Sequence, residues 1–143
     1  MDIAKESIGI LERICYERII VNESIEMVDK FLSLVTIDLA DDLDRQLAAA
    51  YIFGMLNGKA QKDSISPENV QALMIRIGIE KLQYTPELAF EMTQFVINAT
   101  DKEFHPTVNA IIHRGIEVYF LYADNQYGAL LDDFQDIVQL VKS

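Results

Sequence analysis

Apolar residues recur along this chain every three to four positions. No stretch alternates apolar with polar residues between turn signals, so the pattern predicts helices and no strands. Residues 2–21 carry Ile3, Ile10, Leu11 and Ile14 on one stripe, with Cys15 beside them as a core residue. Residues 23–36 carry Ile25, Val28, Leu32 and Val35, and Asn22 is placed to cap this second helix. Residues 39–61 differ. Leu43, Leu47, Ala50, Gly54 and Gly58 mark one face, while Ala48, Ile52, Phe53 and Leu56 make the other side apolar too. A helix apolar all round belongs at the centre of a bundle. Glycine costs about 1 kcal/mol in a helix interior relative to alanine. The Ala50–Gly54–Gly58 repeat therefore implies a second helix packed closely against it.

Two helix starts are spelled almost alike, Ser66-Pro67-Glu68 and Thr85-Pro86-Glu87. The hydroxyl residue caps, proline takes the first helical position where no N–H is missed, and glutamate faces the positive end of the helix dipole. They predict helices over 67–82 and 86–99. Val70, Leu73, Met74 and Ile77 face inward on the first, and Leu88, Met92, Phe95, Val96 and Ala99 on the second. Phe90 and Ile97, on the back of the second, are expected to be covered by another helix. Pro106 opens a further helix to about 123, with Val108, Ile111, Ile112, Gly115 and Tyr119 inward. The last, 127–142, carries Tyr127, Leu130, Leu131, Phe134, Ile137, Val138 and Val141 on a clean stripe. The expected architecture is all-α: a compact bundle of six or seven helices around a buried central helix at about 39–61, with residues 1–143 forming a single domain.

Half of the 143 residues are hydrophobic, enough for a substantial core. Twelve basic against twenty-three acidic residues give a net charge of −11. That argues against nucleic acid and anionic membrane surfaces as partners, and favours steering of a basic one. The single cysteine, Cys15, excludes an internal disulfide. The opening residues, with Asp2, Lys5 and Glu6, do not read as a secretory signal, and the run 47–56 is about half a membrane span. A cytoplasmic protein is the expectation.

Both histidines lie in "EFHPTVNAIIHRG", residues 103–115. On a helix His105 and His113 stand about 80° and ~12 Å apart, too far to share a metal ion. Asn109, His113 and Glu117 read as the polar boundary of an amphipathic helix. No nucleophile motif or phosphate-cradling loop accompanies them, so neither catalysis, a metal nor a cofactor is expected. Acid, by contrast, is clustered. Asp38, Asp41, Asp42 and Asp44 crowd the start of the central helix, where Asp38 is the expected cap. Asp132, Asp133 and Asp136 lie on the outer face of the last helix. These seven are the candidate partner-binding residues.

Three stretches, "AAAYIFGMLNGKAQ" (48–61), "SPENVQALM" (66–74) and "HPTVNAIIHRG" (105–115), together resemble a family of small all-helical immunity proteins encoded beside bacterial polymorphic toxins, including toxins delivered by type VI secretion. The resemblance spans about residues 48–116. It implies a non-enzymatic cytoplasmic antidote in interbacterial competition, one that binds and neutralises a cognate protein toxin, and it carries over no site residues. The alternative from another class is a helical regulatory or scaffold module, with a homodimer as one form. A third is a small hydrolase using His113 and nearby acids.

Overall fold

The computed structural model describes the backbone of residues 3–143 and the side chains of residues 9–143. Among the described residues there are six helices and no strand: α1 (Ile3–Leu34), α2 (Asp42–Asp63), α3 (Pro67–Glu80), α4 (Pro86–Asn98), α5 (Pro106–Ala123) and α6 (Tyr127–Lys142). The all-α expectation holds. So do the starts of α3 and α4, where Ser66 Oγ accepts from Asn69 N and Thr85 Oγ1 from Leu88 N, each at 3.2 Å. α5 starts at Pro106 in the same manner, with His105 as its cap.

The helix predicted to be central is central. α2 is buried almost continuously from Leu47 to Leu56 and packs along α5. A Cβ built on Gly54 would run into the carbonyl oxygen of Ile112 and lie 2.8 Å from the Gly115 Cα. One built on Gly58 would lie 2.9 Å from the Ile116 carbonyl and 2.7 Å from the Tyr119 Cβ. The missing side chains let the two backbones touch. Around this pair, Phe31, Tyr51 and Phe134 join α1, α2 and α6 through ring contacts of 5.0–5.4 Å. Lys59 is buried on α2. Burial disfavours its charge, but the Asp63 carboxylate at 2.7 Å and Glu23 at 3.4 Å outweigh that and raise its pKa.

Three expectations fail. The first is the helix break at Asn22: α1 runs unbroken from Ile3 to Leu34. No proline follows Asn22 to remove a donor, and the Ser24 hydroxyl satisfies itself by donating to the Ile20 carbonyl at 2.7 Å. The second is the inward stripe at the start of α1. Ile10, Leu11 and Ile14 are about half exposed and Cys15 is exposed, because the core begins at Ile20 and α1 runs on past it (the side chain of Ile3 lies outside the described residues). The third is the orientation of α4. Its buried residues are Ala89, Thr93 and Val96, whereas Leu88 and Phe95 are exposed and Phe90 is 54% exposed rather than covered. α4 turns its small face to α3, where Ala89 and Met92 approach Gly78. Hydrophobic stripes weight large residues, but close helix approach selects small ones.

Two stability outcomes follow. Gly54→Ala and Gly115→Ala should each cost at least the 1–3 kcal/mol typical of overpacking, read by urea unfolding. Gly128→Ala, with nothing within 4 Å of the added atom, should stay within about 1 kcal/mol of wild type. The Thr93 hydroxyl is fully buried without a hydrogen-bond partner among the described residues. Thr93→Val should therefore raise the melting temperature, since an unsatisfied buried polar group is costly and valine keeps the shape.

Candidate partner-binding surface

The start of α2 is a small hydrogen-bonded knot. Asp41, not Asp38, is the cap: its Oδ1 accepts from Asp44 N at 3.0 Å. Asp38 supports the turn before it, accepting from Ala40 N at 3.0 Å. The Asp38 N–H in turn donates to Asp44 Oδ2 at 2.9 Å. Asp44 is only 8% exposed and forms an ion pair with Lys142 at the far end of α6. The hydrogen bond from Lys142, then that from the Asp38 N–H, holds the Asp44 carboxyl below the usual range against the opposing effect of burial. Asp42 accepts from Arg45 at 2.9 Å, and the Arg45 guanidinium stacks 4.4 Å over the Tyr84 ring. Asp38, Asp41 and Asp42 face solvent.

The α6 cluster divides in the same way. Asp133 accepts from the Tyr51 hydroxyl at 2.7 Å and from Arg114 at 2.6 Å, and Asp136 accepts from Arg114 at 2.9 Å. Burial first, and Asp133 second, pushes the Tyr51 hydroxyl far above its ordinary pKa, so it stays a donor. Burial opposes the Arg114 charge, but bonds to Asp133 and Asp136 outweigh it and raise its pKa further. Asp132 and Asp136 face solvent. Of the seven candidates, then, Asp44, Asp133 and the more exposed Asp136 tie helices together. Sequence spacing could not reveal this, because their cations, Lys142 and Arg114, lie far along the chain.

The fold adds a relation that the sequence hides. An open depression of about 490 Å³ separates the α1–α2 connection from α6, lined by Val35 and Thr36 on one side and Asp132, Gln135, Asp136 and Gln139 on the other. Asp38 follows Thr36 by two residues. Asp132 and Asp136 thus lie across the depression from the connection that leads into the first cluster, nearly ninety residues away in sequence.

The histidine stretch is mostly scaffold. His105 Nδ1 accepts from Val108 N at 3.1 Å and caps α5. Asn109, expected at a wet boundary, is buried and donates to the carbonyls of Ala99 and Thr100 at 3.0 and 3.2 Å, fastening the end of α4 to α5. His113 and Glu117 are exposed, and Arg114 belongs to the α6 network. Among the described residues no three His, Cys, Asp or Glu side chains gather as metal ligands, and no helix is long and apolar enough to cross a membrane.

The Asp44–Lys142 tie has a pH signature. A carboxyl whose folded pKa is depressed contributes stability above its unfolded pKa of about 3.9, and that stability is lost as pH falls through the lower folded value. Wild type should exceed Asp44→Asn in unfolding free energy at pH 7. The gap should close as the pH is taken from about 4 downward, in urea titrations at each pH.

No curated protein and no solved structure matches the chain. A family model does, over residues 20–142, from within α1 to the last turn of α6. That span takes in α2 through α6 and both acidic clusters, and the chain belongs to the immunity protein 48 family.

Proposed function

We propose that this protein is a non-catalytic cytoplasmic antidote, acting as one helical domain, which binds a cognate protein toxin and neutralises it. The contact is made in part by the acid around the α1–α2 connection and α6. The observation that carries this reading is an open depression with Asp132 and Asp136 on one wall and Val35 and Thr36, which lead into Asp38, on the other. Asp38, Asp41, Asp42, Asp132 and Asp136 are the solvent-facing members, with Asp44 and Asp133 holding the helices that present them. A net charge of −11 suits a basic toxin, drawn in by electrostatic steering. Interbacterial delivery, including type VI secretion, is the setting that the family resemblance implies. The family match supports an immunity role.

Co-expression with the cognate toxin, followed by binding kinetics, tests the proposal. Wild type should protect, and its association rate should fall as salt rises, since charge reaches only about 8 Å at physiological ionic strength. Converting Asp38, Asp41, Asp42 and Asp132 together to Asn keeps the capping geometry. It should slow association several-fold and flatten the salt dependence, with little change in dissociation. Wild-type protein that neither binds nor protects would refute the antidote reading. Protection with unaltered kinetics in the variant would refute this surface alone.

A further inference from the structure

Residues 9–19 of α1 are exposed without interruption, and among them Ile10 is 50%, Leu11 61%, Ile14 47% and Ile19 55% exposed. Of these, Leu11 and Ile19 lie about 100° and 180° round the helix from Ile10, while Ile10 and Ile14 share a side that is left in water. At about 100° per residue, Ile10, Ile14 and Val21 fall within about 40° of one another, making one apolar edge. That edge runs into a groove of about 340 Å³ between α1 and α3, lined by Glu17, Ile20, Val21, Ile65, Leu73 and Arg76. The Tyr16 hydroxyl, donating to the Asp63 carbonyl at 2.5 Å, fixes α1 at the groove mouth.

We infer that this edge is a homodimer interface, formed by antiparallel pairing of the exposed part of α1 with that of a second copy. Charge selects this occupant. In a chain of net charge −11, residues 9–21 carry Glu12, Arg13, Glu17 and Arg18, which sum to zero. Two acidic copies can meet here without like-charge repulsion, and a cationic partner finds no excess of acid. The sequence is also self-complementary. A two-fold axis at residue 15 keeps equivalent flanks together. It sets Arg13 level with Glu17 of the second copy on one flank, brings Ile14 beside its own equivalent, and lays Ile10 against Val21 at the mouth of the groove. The contact covers about 18 Å of helix. That alone is less than the ~800 Å² per partner of a standard interface, so the dimer is a weak, concentration-dependent one. The family match begins at residue 20, so the pairing segment except Ile20 and Val21 lies outside the matched span, and the inference does not rest on toxin binding.

Sedimentation equilibrium over a wide concentration range should show a reversible monomer–dimer equilibrium. Ile10→Asp with Ile14→Asp should weaken it at least tenfold while circular dichroism and melting stay near wild type, because both residues are outside the core. In a Cys15→Ser background, Ile14→Cys should form a disulfide-linked dimer on mild oxidation, since side chains astride the axis come within the ~3.5–4.5 Å Cβ separation a disulfide needs. Native Cys15 lies about 100° further round the helix and should link far more slowly. Wild type that stays monomeric at its highest soluble concentration overturns the proposal. So does a double variant that self-associates like wild type, and so does native Cys15 linking as fast as the Ile14→Cys variant.

Discussion

α2 and α5 meet backbone to backbone at Gly54 and Gly115, and neither helix has room for a Cβ there. Close approach brings many atoms into dispersion contact at once, which offsets the conformational cost of glycine inside two helices. It also fixes everything laid upon the pair. Tyr51, one turn before Gly54, is turned toward Phe31 and Phe134, and so decides where α1 and α6 dock. Arg114, next to Gly115, is aimed at α6 and meets Asp133, which the Tyr51 hydroxyl also reaches. One close contact thereby sets the position of the acidic helix face.

The parts of this arrangement legible in sequence are those where one residue type has one physical reason. Pro67, Pro86 and Pro106 each mark a helix start, because proline is tolerated at the first position and little further in. The spacing of Ala50, Gly54 and Gly58 announces a close helix neighbour, and Gly115 proves to be its counterpart. What was not legible depends on partners remote in sequence. Asn22 has the chemistry of a cap, yet nothing around it stops α1, so helix propensity carries through. The amphipathic stripe of α1 is real, but periodicity says only that a face exists, not that this fold covers it. On α4 the buried face is chosen by the room α3 leaves at Gly78, a quantity no single-helix pattern contains.

Charge shows the same division. The seven clustered aspartates look alike in sequence, but cations from elsewhere in the chain sort them. Lys142 draws Asp44 into an inter-helix tie, and Arg114 holds Asp133 and Asp136. An ion pair whose carboxylate is largely buried, as at Asp44 and Asp133, is screened less than one in open solvent, so these pairs hold α6 while Asp38, Asp41, Asp42 and Asp132 remain facing water. The inward carboxylates give the surface its rigidity and the outward ones give it its field. Such a division suits recognition, because groups that are already positioned lose less entropy when a partner arrives.

α1 is divided along its length rather than around its circumference. From Ile20 onward its residues enter the common core, with Met27, Val28 and Phe31 fully buried, and here the family match also begins. Before Ile20 the same helix continues with no break, tied to α2 by the Tyr16 hydroxyl, yet Ile10, Leu11, Ile14 and Ile19 stay about half exposed. Short isolated helices are marginal in water, so this stretch depends on the buried part of α1 to hold it helical. A continuous helix transmits that order outward at low cost, since each added residue extends an existing nucleus. The exposed segment is therefore pre-shaped by the bundle while contributing little to it. The α1 pairing we infer would cover Ile10 and Ile14, at the opposite end of the helix from the acidic α1–α2 connection.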